Sequence, residues 1–157
     1  MTSEEFFSEI YSAYCKRIYN YIYGRIPNHE AAEDIAAEVF VAVWKNLWSY
    51  DASKGNMSTW LYTIAANKTT NYIKQARIRR EVSVAELPED TAQNFSDEAN
   101  SLSSRILSRL TDEECEFLMM RYALGLSNEE IAKILGGTSS SISARYSRLL
   151  KKCRRLA

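Results

Sequence analysis

Phe6, Phe7, Ile10, Tyr11, Tyr14, Ile18, Tyr21 and Ile22 recur at the three- and four-residue spacing of one helix face. Thr2 and Glu5 supply a capping box for the start of that helix, and the stretch from Gly24 to Pro27 supplies its stop. Asn28 can cap a second helix, "HEAAEDIAAEVFVAVWKNLW", whose apolar residues make more than one stripe. At roughly 100° per residue, Ile35, Val39, Ala42 and Val43 share a face, while Phe40 and Trp44 point roughly 100–140° from its centre. That is more apolar surface than one small core covers. "SYDASKGNMS" has the composition of a loop, after which Ser58 or Thr59 can cap a third helix from Trp60 to about Arg80.

Residues 81–100 lose the helical period, contain Pro88 and six acids without a base, and predict a linker. Beyond it, "LTDEECEFLMMRYALG" opens with the capping box Thr111/Glu114 and ends at Gly125; "LSNEEIAKILGG" opens with Ser127/Glu130 and ends at Gly136. In the last segment Ile142, Tyr146, Leu149, Leu150 and Cys153 form a packing stripe. Ser141, Arg145, Arg148, Lys152 and Arg155 form an adjacent polar one. The predicted fold is all-α: a helical domain over 1–80, an acidic linker over 81–100, and a helix-turn-helix over 101–157.

With 157 residues, 46% of them hydrophobic and 25% charged, the chain can bury a core. Its zero net charge conceals a segregation. Residues 67–80 carry five bases and no acid, and residues 121–157 carry eight bases against two acids, on either side of the acidic linker. Two basic blocks fit two contacts with a polyanion, where a single block is more often a solvated helix face. No apolar run reaches the roughly 18 residues of a membrane span and the start lacks a secretory pattern, so a cytoplasmic protein without membrane insertion is expected. Cys15, Cys115 and Cys153 are widely spaced and suit small packed hydrophobes rather than zinc ligands or disulfides. The single histidine, His29, falls at a helix start, and no phosphate loop or nucleophile signature occurs. Glu33, Asp34 and Glu38 fit a solvated surface better than a nuclease metal site, so no catalysis, metal or cofactor is expected.

The terminal helix carries the functional signal. One side docks on its own domain while the neighbouring side offers cations, as a recognition helix in a major groove requires. Ser139, Ser140 and Ser141 add hydroxyls and open N–H groups at the positive helix end, which favours phosphate.

These stretches together resemble bacterial RNA polymerase sigma factors of the extracytoplasmic-function class of the sigma-70 family. "AAEDIAAEVFVAVWKNL" resembles the polymerase-binding helix and "STWLYTIAANKTTNYIKQARIRR" the promoter-melting and upstream-recognition helix. "LTDEECEFLMMRYALGLSNEEIAKILGGTSSSISARYSRLLKK" resembles the family helix-turn-helix. The resemblance implies a protein that binds core RNA polymerase, directs it to promoter DNA and opens it, as a monomer in the holoenzyme. It implies a polymerase surface at Asp34, Glu38, Phe40 and Trp44, although Phe40 and Trp44 also suit a core. It implies that the loop from Lys54 to Thr59 captures a flipped minus-ten base, with Lys54 on phosphate, Asn56 and Ser58 on base edges and Met57 packed on the base. Asn67, Asn71 and Lys74 match polar family positions, Arg77, Arg79 and Arg80 would sit on phosphates, and the helix-turn-helix would read the minus-thirty-five element through Arg145, Arg148, Ser141 and Lys152. The acidic linker resembles the segment that threads toward the RNA exit path, and an anti-sigma factor is the implied regulator. Ala37, Asn71 and Ser141-Ile142 depart from the usual residues, so the bases preferred do not transfer. A stand-alone helix-turn-helix regulator is the rival reading; it accounts for the second half and leaves the first idle.

Overall fold

The computed structural model describes residues 1–82 and 105–157, so the linker expected over 81–100 lies outside the described residues except for its first two backbone positions. Among the described residues every regular element is helical: α1 (Ser3–Arg25), α2 (His29–Asn46), a 3-10 turn (Leu47–Ser49), α3 (Met57–Val82), α4 (Asp112–Tyr122), α5 (Asn128–Leu135) and α6 (Ser139–Leu156).

The chain writes most of these boundaries in its capping residues. Glu5 N donates to Thr2 Oγ1 and Thr2 N to Glu5 Oε2, each at 3.1 Å; the Thr111/Glu114 and Ser127/Glu130 boxes form in the same way. Ala31 N donates to Asn28 Oδ1 at 3.0 Å, starting α2. Gly136 and Gly137 turn α5 into α6 at φ of 90° and 98°, a region that side chains with a Cβ rarely adopt.

Two starts differ from expectation. Asn56, rather than Ser58 or Thr59, begins α3: its Oδ1 accepts from Thr59 N at 3.0 Å, and asparagine caps at least as well as serine or threonine. At α6, Ser141 belongs to a fourth capping box, accepting from Thr138 N at 3.0 Å while its own N–H donates to Thr138 Oγ1 at 3.1 Å.

The first core packs Ile10, Ile18, Tyr21 and Ile22 of α1 against Ile35, Val39 and Val43 of α2 and Leu61 and Ala65 of α3. Phe40 belongs to this core and not to the open surface of α2. It is only 5% exposed, and the rings of Phe7 and Tyr11 pack on it edge-on at 6.4 and 4.9 Å. The long α1 covers the apolar area that α2 presents in surplus, and burying such a ring stabilises by about 1.5–3 kcal/mol. In the second half Phe117, Met120, Leu124, Leu126 and Ile131 enclose Ile142, Tyr146 and Leu149 of α6, and the Tyr146 hydroxyl donates to the Phe117 carbonyl.

The halves do not stand apart. Their buried side chains join in one cluster, with α4 laid against α1. Gly24 permits that approach, since a Cβ at this position would overlap Sδ of Met119. Glu116 of α4 accepts from Tyr21 and Tyr62 hydroxyls at 2.8 and 2.7 Å, and Arg25 lies 3.7 Å from its other oxygen. Burial first, then the Glu116 charge, pushes the Tyr21 hydroxyl well above the ordinary tyrosine range, keeping it a donor.

Candidate nucleic-acid interface

The loop before α3 and the outer face of that helix form one polar surface. Lys54 and Asn56 are exposed, while Met57 and Ser58 are half-buried, and Ser58 Oγ lies 3.1 Å from the Tyr14 hydroxyl. Asn67, Asn71 and Lys74 are all exposed, and their spacing puts them on a single face. Ile78 continues that face as an exposed apolar residue; the sequence reading passed over it, although an isoleucine at the next step of a polar stripe is a visible signal. Arg77, Arg79 and Arg80 fan around the helix, roughly 80–140° from the Asn71 stripe. Arg77 pairs with Asp112 at 2.7 Å, and the Arg79 guanidinium lies 5.9 Å from the Tyr72 ring centroid.

The second polar surface is on α6. Ser139 and Ser140 are exposed at its positive end, while Ser141 spends its hydroxyl on the cap. Arg145 is held from behind: its guanidinium lies 4.3 Å over the Phe117 ring and 3.7 Å from the Glu113 carboxylate. Lys152 donates to both oxygens of Glu114 at 2.8 and 3.0 Å, and that bond, followed by the one from the Thr111 backbone, holds the Glu114 carboxyl below its usual range. Arg148 is exposed and makes no ion pair among the described residues. Together with Arg155, these side chains line a shallow groove of about 450 Å³ between α4 and α6.

On α2, Asp34 and Glu38 are exposed one turn apart. Val41, 52% exposed, extends their stripe, and Trp44, 45% exposed, borders it with its ring edge-on to Phe7 at 5.4 Å. Val41 was missed because a lone valine among core-forming neighbours carries no label in the sequence. Trp48, 83% exposed, flanks a groove of about 590 Å³ beside the helix end. The cysteines are packed or half-packed, and burial pushes the Cys115 thiol up to about 11, far from a reactive thiolate. His29 sits exposed at the α2 start, bonded to the Tyr19 hydroxyl at 2.5 Å and paired with Glu33 at 2.9 Å.

Both halves match known families. Residues 10–79 match Sigma-70 region 2, and residues 104–153 match Sigma-70, region 4. The chain is 30% identical to the ECF RNA polymerase sigma factor SigW of Bacillus subtilis, over 92% of this chain and 85% of that relative. The chain belongs to the ECF class of RNA polymerase sigma factors. It is also 28% identical to the ECF sigma factor BldN of Streptomyces coelicolor over 96% of this chain, which spans 60% of BldN. The sigma-factor fold is shared with a solved RpoE in complex with the anti-sigma factor NepR from Bartonella quintana, at TM-score 0.69 and 23% identity, covering 96% of this chain and 95% of that one. CnrH, solved in complex with the cytosolic domain of CnrY, gives the same TM-score of 0.69 at 20% identity, over 98% and 88% of the two chains. As a sigma factor the protein directs transcription initiation with core RNA polymerase on promoter DNA, and a stand-alone regulator is not favoured because both halves are sigma regions.

Proposed function

We propose that the two halves divide the work of initiation. Residues 1–80 dock on core polymerase through the open α2 stripe of Asp34, Glu38, Val41 and Trp44, with Phe40 as the buried support beneath it. The loop from Lys54 to Ser58 and the Asn67–Asn71–Lys74 face of α3 take the minus-ten strand. Residues 101–157 read the minus-thirty-five element with α6, where Arg148 and Arg145 meet bases or phosphates, Ser139 and Ser140 meet phosphate, and Lys152 adds charge. The acidic stretch 81–100 connects the two. The protein acts in the cytoplasm, where its DNA and polymerase are, and an anti-sigma factor restrains it, a partner class supported by the solved complex of RpoE with the anti-sigma factor NepR. No helix of the described residues is long and apolar enough to cross a membrane.

The observation that carries this division is the sorting of side chains on α6: Ile142, Tyr146 and Leu149 are buried while Arg148 stands in solvent one helical step away. Transcription in vitro with purified core polymerase, followed by start-site mapping, tests it. The expected result is promoter-specific initiation that depends on the added protein. An Asp34→Lys/Trp44→Ala double variant should lose co-elution with core enzyme, and unchanged co-elution would remove α2 from the polymerase surface.

A further inference from the structure

Tyr14 stands on α1 between Ile10 and Ile18, which are buried one turn away on either side, so the first core fixes where its ring can go. Its hydroxyl lies 3.1 Å from Ser58 Oγ, a contact across 44 residues that joins α1 to the loop before α3. An aryl hydroxyl is the better donor and the poorer acceptor of the two, because its oxygen shares a lone pair with the ring. The Arg17 guanidinium lies 5.5 Å from the centroid of that ring, a positive neighbour that suits a donating hydroxyl. Tyr14 therefore donates and Ser58 accepts. The Ser58 proton is left without a partner among the described residues and is open to a ligand.

The other side chains of the loop add no acceptor. Asn56 Oδ1 already accepts from Thr59 N and Thr59 Oγ1, each at 3.0 Å. Lys54 can only donate, and Met57 offers an apolar surface. Between Lys54 and Ser58 the side chains free for a ligand give hydrogen bonds rather than take them.

We propose that Tyr14 is a positioning residue for base selection. By holding Ser58 as a donor, it makes the loop prefer a captured base whose leading edge carries a keto oxygen, thymine or guanine, over one carrying an amino group, adenine or cytosine. The inference rests on the reading that this loop captures a minus-ten base. A flipped base keeps its sugar outside and enters with its Watson–Crick edge leading, so its exocyclic keto or amino group meets the donors first. A keto oxygen accepts from Ser58 while Met57 packs on the ring. An amino group sets hydrogen against hydrogen and leaves the half-buried Ser58 proton unpaired, which is the costly outcome. Tyr14 itself touches no base; it selects through Ser58.

The test is transcription in vitro with the full chain and purified core polymerase, on a mapped promoter whose minus-ten positions carry each of the four bases in turn. At one position keto bases should outperform amino bases about tenfold. Tyr14→Phe removes only the hydroxyl and should cut that preference to about threefold, with co-elution with core polymerase unchanged. Ser58→Ala should flatten the preference further, and Tyr14→Phe should then add nothing in the Ser58→Ala background. A tyrosine that served folding alone would instead slow initiation equally on all four bases, whichever residue stood at position 58.

The inference is overturned if Ser58→Ala flattens no position, if the position it flattens favours amino bases, if Tyr14→Phe lowers all four bases equally, or if the two substitutions act additively. A Lys54→Ala/Met57→Ala variant separates these failures from failure of the loop reading. Where that variant loses initiation on the same promoter, the loop keeps its strand and only the role of Tyr14 is lost. Where it initiates as the parent does, the loop does not hold the strand, and the inference falls with it.

Discussion

Helices α3 and α6 are both basic and both face the candidate DNA surface, yet their cations are held by different parts of the chain. The α6 cations Arg145 and Lys152 lean on Glu113 and Glu114 of the neighbouring α4, within the same half. Arg77 of α3 is paired with an acid from the opposite half. A tie within one packed unit persists whatever the halves do, so it orients a side chain; a tie between halves lasts only while they touch. The helix-turn-helix therefore sets its cations with acids of its own half, whereas Arg77 of α3 is set only while the halves touch.

The comparison breaks most sharply at Arg148. It is an exposed α6 cation without an ion pair among the described residues, on the polar stripe with Arg145 and Lys152, so its charge is free for DNA. Arg148→Ala should lower promoter-dependent initiation about tenfold, or ~1.4 kcal/mol, and reduce the salt slope of promoter binding by about one if the contact is to phosphate. Arg145→Ala should cost less in DNA binding and more in stability, because its guanidinium packs on Phe117. Equal initiation defects in the two variants, with core association retained, would mean that the Glu113 tie does not preset Arg145.

The hub comes next. Glu116→Ala leaves the Tyr21 and Tyr62 hydroxyls without their acceptor, a loss of about 1–3 kcal/mol where they stay buried. Thermal unfolding should show one transition in the parent, because the buried residues form a single cluster, and separated transitions for the two halves in the variant. A single transition in both would put the hold between halves elsewhere than Glu116.

The helices were readable because their boundaries are local. Thr2/Glu5, Asn28, Thr111/Glu114 and Ser127/Glu130 each satisfy N–H groups three residues away, and all four formed as the sequence indicates. The α6 stripe was readable for the same reason, since Ile142, Tyr146 and Leu149 obey one helical period and are buried. Two polar residues were read for only one of their capacities: Asn56 and Ser141 were assigned outward to DNA, and the structure uses both in caps. Phe40 was open to two readings, polymerase surface and core, and the lid that decides for core is α1, more than twenty residues earlier. The closure between halves was not legible at all. It pairs Tyr21 with Glu116 across 95 residues, and each side alone looks like an ordinary surface acid or a core tyrosine.

A smaller effect should separate the two helices by how well they are settled. Thr69 on the inner side of α3 is fully buried, and its hydroxyl finds no partner among the described residues. Thr69→Val replaces that hydroxyl with a methyl of similar size and should stabilise by about 1 kcal/mol, measured by urea denaturation. A destabilised variant would show that the hydroxyl is bonded in solution.

The smallest expected effect concerns pH, and it tests whether the α6 ties are as permanent as their location suggests. Glu114 is held below its ordinary value of 4.5 by Lys152 and by the Thr111 backbone. A depressed carboxyl contributes stability that is fully present above its unfolded value and is lost as pH falls through the folded one. The α4–α6 tie should therefore be constant from neutrality down to about pH 5 and weaken below that. Because both groups are partly open to solvent, its loss should be modest. Glu114→Gln keeps the helix cap and removes the charge. Comparing its unfolding midpoint with the parent's across this range should show the two curves converging in acid and separating toward neutral pH. Curves that stay parallel would mean that Lys152 is not bound to Glu114 in solution, leaving it as open to DNA as Arg148.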